Sequence, residues 1–119
     1  MISVSRAYAF EAAHRLTGVP PTHRCSAVHG HNYRVVLTVA GPVDSVTGFV
    51  IDFWDMDAIF EPLRVQLDHR MLNDVPGLEN PTAEAIAVWI AERVAAALPG
   101  LARVTVYENA DCWAEWTPL

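Results

Sequence analysis

No lysine occurs in this 119-residue chain, so all eight of its basic residues are arginines. That absence removes Schiff-base chemistry and the lysine of a phosphate-binding loop, and leaves cationic recognition to arginine and five histidines. Cysteine is also scarce. Cys25 and Cys112 stand in unlike contexts, which argues against a structural disulfide. Charges interrupt the apolar residues throughout, so no segment is long enough to span a bilayer. Met1 leads directly into strand-like sequence without the basic and apolar regions of a signal peptide. A cytoplasmic protein with no membrane partner is expected. The formal net charge is −6, without a basic stripe, so nucleic acid is not an expected partner either. The length fits one domain over residues 1–119, able to build a core yet small enough to gain from oligomerisation.

What the chain does have is a concentration of metal-ligand and proton-transfer side chains. His29 and His31 flank Gly30 at the start of an alternating run, Tyr33, Val35, Leu37 and Val39, so both imidazoles should leave a strand on one face. His14 ends a second alternating run, Ile2, Val4, Tyr8, Phe10 and Ala12. Pairing of the two strands would converge three ligands and leave the fourth tetrahedral position of zinc open, the arrangement of a catalytic site. Cys25 lies in a polar, turn-rich segment, Pro20 to Ser26, and three readings stay open for it: an inert thiol, a fourth ligand, or a free base or nucleophile. Arg15, His23 and Arg24 flank the same region and are the candidates for meeting an anionic substrate.

The order of elements reads strand, strand, helix, helix, strand, strand. Residues 2–14 and 29–40 form the first pair, with turn chemistry from Gly41 to Gly48. From Asp55 the spacing of Met56, Ile59, Phe60, Leu63 and Leu67 predicts a helix, with Asp52 or Asp55 as cap and a bend at Pro62. After a loop over 68–81, Thr82 caps a second helix whose buried face is Ile86, Trp89, Ile90, Val94 and Ala97, ended by Pro99 and Gly100. Val104, Val106 and Glu108 alternate in a third strand, and Trp113 to Thr117 make a fourth. The expected fold class is α+β, a four-stranded antiparallel sheet with two helices on one face.

Further positions could carry chemistry. Asp68 beside His69 can set the tautomer and basicity of the imidazole, although a histidine at a helix C-terminus also simply suits the dipole. Glu108 ends an apolar strand, where its carboxylate could accept two hydrogen bonds from the edge of a pterin or guanine ring.

Seven motifs then stand in one order: Phe10 to Leu16 around His14, Cys25 to Tyr33 around His29 and His31, Gly48 to Phe53, Leu67 to His69, Leu72 with Asn73, Asn80 to Glu84, and Glu108. Together they resemble the 6-pyruvoyl-tetrahydropterin synthase family over nearly the whole chain. The three-residue gap between Cys25 and His29 is more similar to the bacterial 6-carboxytetrahydropterin synthases of 7-deazaguanine biosynthesis, which serves queuosine-type products. The resemblance implies a tunnelling fold assembled as a homohexamer with sites between subunits. It makes His14, His29 and His31 ligands of one zinc ion per subunit, Cys25, Asp68 and His69 the proton-transfer set, and Glu108 the anchor of the pterin ring, with Thr82 also on the substrate side. The implied reaction converts 7,8-dihydroneopterin triphosphate to 6-carboxy-5,6,7,8-tetrahydropterin, acetaldehyde and triphosphate. A pyruvoyltetrahydropterin synthase and a pterin-binding zinc module without turnover are the alternatives. Two features depart from the family pattern: Asn109 follows Glu108 where Thr is usual, and Asp57 stands where Lys is common.

Overall fold

A computed structural model describes residues 1–119, and in it both alternating segments are long strands, β1 (Ile2–His14) and β2 (His29–Gly41). They pair antiparallel without a break from Ile2 opposite Gly41 to His14 opposite His29. Because side chains alternate across a strand, this register assigns Phe10, Ala12, His14, Tyr33, Val35, Leu37 and Val39 to one buried face. Glu11, Ala13, Gly30 and Asn32 point to the other.

Two helices cover the apolar face. Asp52 caps α1 (Phe53–Leu67) by accepting from the Trp54 N–H at 2.9 Å, so the helix starts two residues before Asp55 and runs through Pro62. Met56, Phe60, Leu63 and Leu67 are its buried stripe, and the Phe60 ring stacks on Tyr8 with centroids 4.4 Å apart. Asp57, on the same helix, accepts from the Tyr8 hydroxyl at 2.8 Å and pairs with Arg6 at 3.1 Å, which gives the acidic residue a partner on β1. Thr82 caps α2 (Ala83–Val94), its hydroxyl accepting from the Ala85 N–H at 3.0 Å. This helix stops at Val94, earlier than expected, because Ala97 and Leu98 both turn back to the Val94 carbonyl. The tighter turn rotates Ala97 to the surface and buries Leu98 instead, a correction to the expected face.

The sheet is also richer than expected. Its strand order is β3–β1–β2–β4–β5, where β3 is Arg70–Met71, β4 is Leu101–Asn109 and β5 is Cys112–Trp116. It has five strands rather than four, and it is mixed rather than antiparallel, because β3 runs parallel to β1 beside Ala12 and Ala13. Two residues show no period, so nothing in the local pattern marks them as a strand. They are placed by tertiary bonds just upstream, where the His69 N–H donates to the Glu11 carbonyl and the Glu11 N–H to Asp68. At the start of β4, Gly100 comes so close to β2 that a Cβ there would meet the Ala40 carbonyl oxygen at 2.5 Å. One apolar cluster of 24 buried residues joins the helices to the sheet. No helix is long and apolar enough to cross a membrane.

Phe60 is 1% exposed and packs on Tyr8, so Phe60→Ala should cost about 3–5 kcal/mol in urea unfolding. A loss under about 1 kcal/mol would show that α1 does not hold the sheet as described.

Candidate active site

The end of the β1–β2 ladder carries the histidines. His14 lies opposite His29, and Ala12 opposite His31, so all three rings sit on the helix-covered face just beyond Phe10 and Tyr33. One nitrogen from each can be chosen such that all three lie within 4.8 Å of one another. Two backbone carbonyls set the ring tautomers. His14 Nδ1–H donates to the Pro81 carbonyl at 2.7 Å and His29 Nδ1–H to the Ala27 carbonyl at 2.8 Å, since a carbonyl oxygen can only accept. Both Nε2 atoms therefore present lone pairs, and they face each other at 3.0 Å. Two lone pairs without a proton between them repel, and a cation between them removes the repulsion. Tetrahedral zinc, with nitrogens at about 2.0–2.1 Å, would hold them roughly 3.3 Å apart, so the donor set fits a divalent ion with little movement.

Electrostatics favour the ligand form. Burial pushes the His14 imidazolium below the ordinary value of 6.5, and neighbouring His29 and His31 add to the effect against the Pro81 hydrogen bond. Burial likewise lowers His31, opposed by the nearby Glu108 carboxylate. Neutral imidazoles are what a metal requires. Tyr33, under the cluster with its hydroxyl 3.2 Å from His14 Nδ1, has its pKa raised by burial and then by Glu108, so it stays a neutral phenol.

A cavity of roughly 380 Å³ opens from the histidines. Arg24, Cys25, Glu108, Asn109 and Cys112 line it together with His14, His29 and His31. Strand β4 delivers Glu108 on the face of Val104 and Val106, and a short turn, Arg24–Ser26, delivers Cys25. His23 caps that turn by accepting the Cys25 N–H at 3.0 Å, so its ring is committed through Nδ1. Cys25 stands outside the 4.8 Å group of metal-ligand atoms, which separates the thiol from the three ligands. Arg15 bonds the Ser26 carbonyl at 3.4 Å. Thr82 is spent on capping α2, and its neighbour Pro81 is the residue that orients His14.

Asp68 and His69 are not in this cavity. They lie where α1 meets β3, and His69 lines a second, broader hollow of about 600 Å³ with Glu11, Gly30, Asn32, Arg70 and also His31, the one residue that lines both cavities. His69 adopts a left-handed backbone, φ 57°, unusual for a residue with a side chain. Its Nδ1–H donates to Asp68 Oδ1 at 3.0 Å. The Glu11 backbone N–H, and next this ring N–H, hold the Asp68 carboxyl below the usual carboxylate range. A charged Asp68 therefore fixes the tautomer, with the proton on Nδ1 and the lone pair on His69 Nε2.

Sequence reasoning missed Ala27 and, although Asn73, Asn80 and Pro81 stand in its motifs, gave those three no role. The carbonyls of Ala27 and Pro81 carry no type signature. Asn73 binds both the N–H and the carbonyl of Arg15, at 3.0 and 2.8 Å, and Asn80 accepts the Thr17 N–H at 3.0 Å. Asn73 uses both functions of its amide, donor and acceptor, and Asn80 its oxygen, and together they tie the chain after His14 to the loop before α2.

The 6-pyruvoyl tetrahydropterin synthase family matches residues 3–118. A 6-carboxy-5,6,7,8-tetrahydropterin synthase of Synechocystis is 43% identical, over 89% of this chain and 85% of its own length. A dihydroneopterin monophosphate aldolase of Pyrococcus furiosus is 34% identical, over 84% and 83%. The 6-pyruvoyl tetrahydropterin synthase structure of Caenorhabditis elegans superposes with a TM-score of 0.91 at 25% identity, covering 99% of this chain and 96% of that one.

Chain reconstituted with a divalent metal and desalted should retain about one ion per chain by mass spectrometry. His31→Ala should lower that affinity at least about tenfold, whereas Cys25→Ala should leave it unchanged. Loss of the metal in Cys25→Ala would make the thiol a ligand.

Proposed function

The chain belongs to the 6-pyruvoyl tetrahydropterin synthase family, and from that premise we propose that it is a 6-carboxytetrahydropterin synthase, acting on 7,8-dihydroneopterin triphosphate in 7-deazaguanine biosynthesis. The observation that carries this reading is the single cavity in which three histidines, Cys25 and Glu108 meet. The proposed ion is zinc, one per chain, held by His14, His29 and His31. When bound, it supplies Lewis acidity toward hydroxyl groups of the substrate side chain.

The protein's own groups do the rest. Glu108 sits where a carboxylate can accept two N–H bonds from the pterin edge and so hold the ring with its side chain toward the histidines. Cys25, beside that side chain, moves a proton at a carbon bearing a hydroxyl. His69 is the partner acid/base, oriented by Asp68. Triphosphate leaves, and cleavage of the side chain gives the carboxy product with acetaldehyde. Arg24 faces the cavity and, with Arg15 nearby, is the cation available to a triphosphate in a chain without lysine, while His23, whose Nδ1 accepts the Cys25 N–H, has only its Nε2–H to offer.

The separation of the two cavities supports an oligomeric site. Cys25 and His69 line different cavities of one chain, with only His31 common to both, which supports a site that draws the thiol and the imidazole from different subunits. The sheet ends in two open edges, β5 on one side and the stretch of β1 not covered by β3 on the other. Pairing of unlike edges closes a ring when the rotation permits. In the proposed assembly, a hexamer of two stacked trimers, His69 of one subunit serves the metal and thiol of another.

Incubation of the zinc-loaded chain with 7,8-dihydroneopterin triphosphate should give carboxytetrahydropterin by mass spectrometry together with acetaldehyde. Pyruvoyltetrahydropterin without acetaldehyde would move the chain to the branch named for the nematode structure, and the absence of turnover would leave a binding module. Coexpressed Cys25→Ala and His69→Ala chains, each inactive alone, should regain a substantial fraction of activity in mixed oligomers. No recovery would place both groups in the same subunit's site.

A further inference from the structure

Glu11 has no part in the reaction as described, yet it touches the Asp68–His69 pair at three points. Its N–H donates to Asp68 Oδ1 at 3.0 Å, its carbonyl accepts the His69 N–H at 2.6 Å, and its carboxylate Oε2 lies 3.6 Å from His69 Nε2. Asp68 occupies the other ring nitrogen, Nδ1, at 3.0 Å. The imidazole is therefore set between two carboxylates, one at each end. Their surroundings differ. The Asp68 side chain is 24% exposed and the Glu11 side chain 64%, so the first is suited to orienting the ring and the second to exchanging with water.

An incidental surface contact would leave the backbones of its partners independent. Here the Glu11 backbone is what holds His69 in its left-handed conformation, and the small residues Ala13 and Gly30 beside it keep the hollow open. Glu11 is also three residues before the ligand His14 on the same strand, and strand alternation sends the two side chains to opposite faces. One rigid element thus fixes a metal ligand on one side and the neighbour of the acid/base histidine on the other.

We propose that Glu11 is a positioning residue that carries protons between His69 and solvent, as the third member of an Asp68–His69–Glu11 chain. The inference rests on the reading of His69 as an acid/base group. Asp68 keeps the Nδ1 proton throughout. Nε2 takes a proton from a substrate C–H bond, whose electron pair stays on the substrate, and the ring becomes an imidazolium between two carboxylates. Nε2 then passes that proton to Oε2, giving a neutral imidazole and a carboxylic acid, and the acid releases it to bulk water. A small rotation of either exposed side chain brings the 3.6 Å approach into hydrogen-bond range.

The test compares wild type, Glu11→Gln and Glu11→Ala as zinc-loaded chains, by steady-state release of triphosphate, which does not depend on which pterin is formed. Both variants should lose about 10–100-fold in kcat with KM little changed. Added imidazole buffer should restore their kcat in proportion to its concentration, while the wild-type rate should not respond. A kcat within about twofold of wild type, or a loss that buffer does not restore, would overturn the proposal. A second measurement is independent of turnover: in ¹⁵N-labelled protein, Glu11→Gln should move the His69 Nε2 resonance and leave Nδ1 in place. An unmoved Nε2 resonance also overturns the pairing. If wild type shows no turnover, the functional reading fails separately and the resonance alone decides for Glu11.

Discussion

The β1–β2 register is the constraint on which the rest depends. Thirteen consecutive pairs place His14 opposite His29 and Ala12 opposite His31, with Phe10 and Tyr33 stacked behind them at 4.9 Å. A slip of one residue would send the β2 histidines to the outer face and its valines into water. The apolar core therefore enforces the metal site: the same alternation that buries Val35 and Leu37 aims His31 and His29. Burial then keeps His14 and His31 neutral, and carbonyls from two loops choose which nitrogen each of His14 and His29 offers.

Asp68 plays a comparable part on the opposite side. It ends α1, accepts the Glu11 N–H and orients His69, so one carboxylate joins helix, sheet edge and imidazole. Arg64, one turn back, bonds its second oxygen at 3.2 Å. The resulting short parallel strand gives a small sheet a defined edge and leaves most of that side of β1 uncovered.

Three histidines positioned for a metal ion and an oriented Asp–His pair in a neighbouring cavity suit the proposed reaction. They suit a non-catalytic pterin carrier poorly. Such a carrier needs a pocket, but has no use for an oriented Asp–His pair held in a left-handed backbone.

Much was legible in the residues alone. Period-two alternation located β1 to the residue and β2 within one, the His-Gly-His spacing put both β2 histidines on one face, and capping chemistry identified Thr82 and narrowed the first cap to Asp52 or Asp55, of which the structure uses Asp52. Those signals are local, and local sterics and hydrogen bonding determine them. What only the tertiary structure decided depends on groups with no type signature or on distances across the chain. Backbone carbonyls choose the imidazole tautomers, two residues of β3 pair because Glu11 and Asp68 hold them, and the turn after Val94 exchanges Ala97 for Leu98 in the core. The sequence by itself set which side chains are available and which share a strand face. The assignment of Cys25 and His69 to different cavities followed only when helices and loops were packed, because Glu11 holds His69 and Glu108 shares the cavity of Cys25, and both partners are distant in sequence.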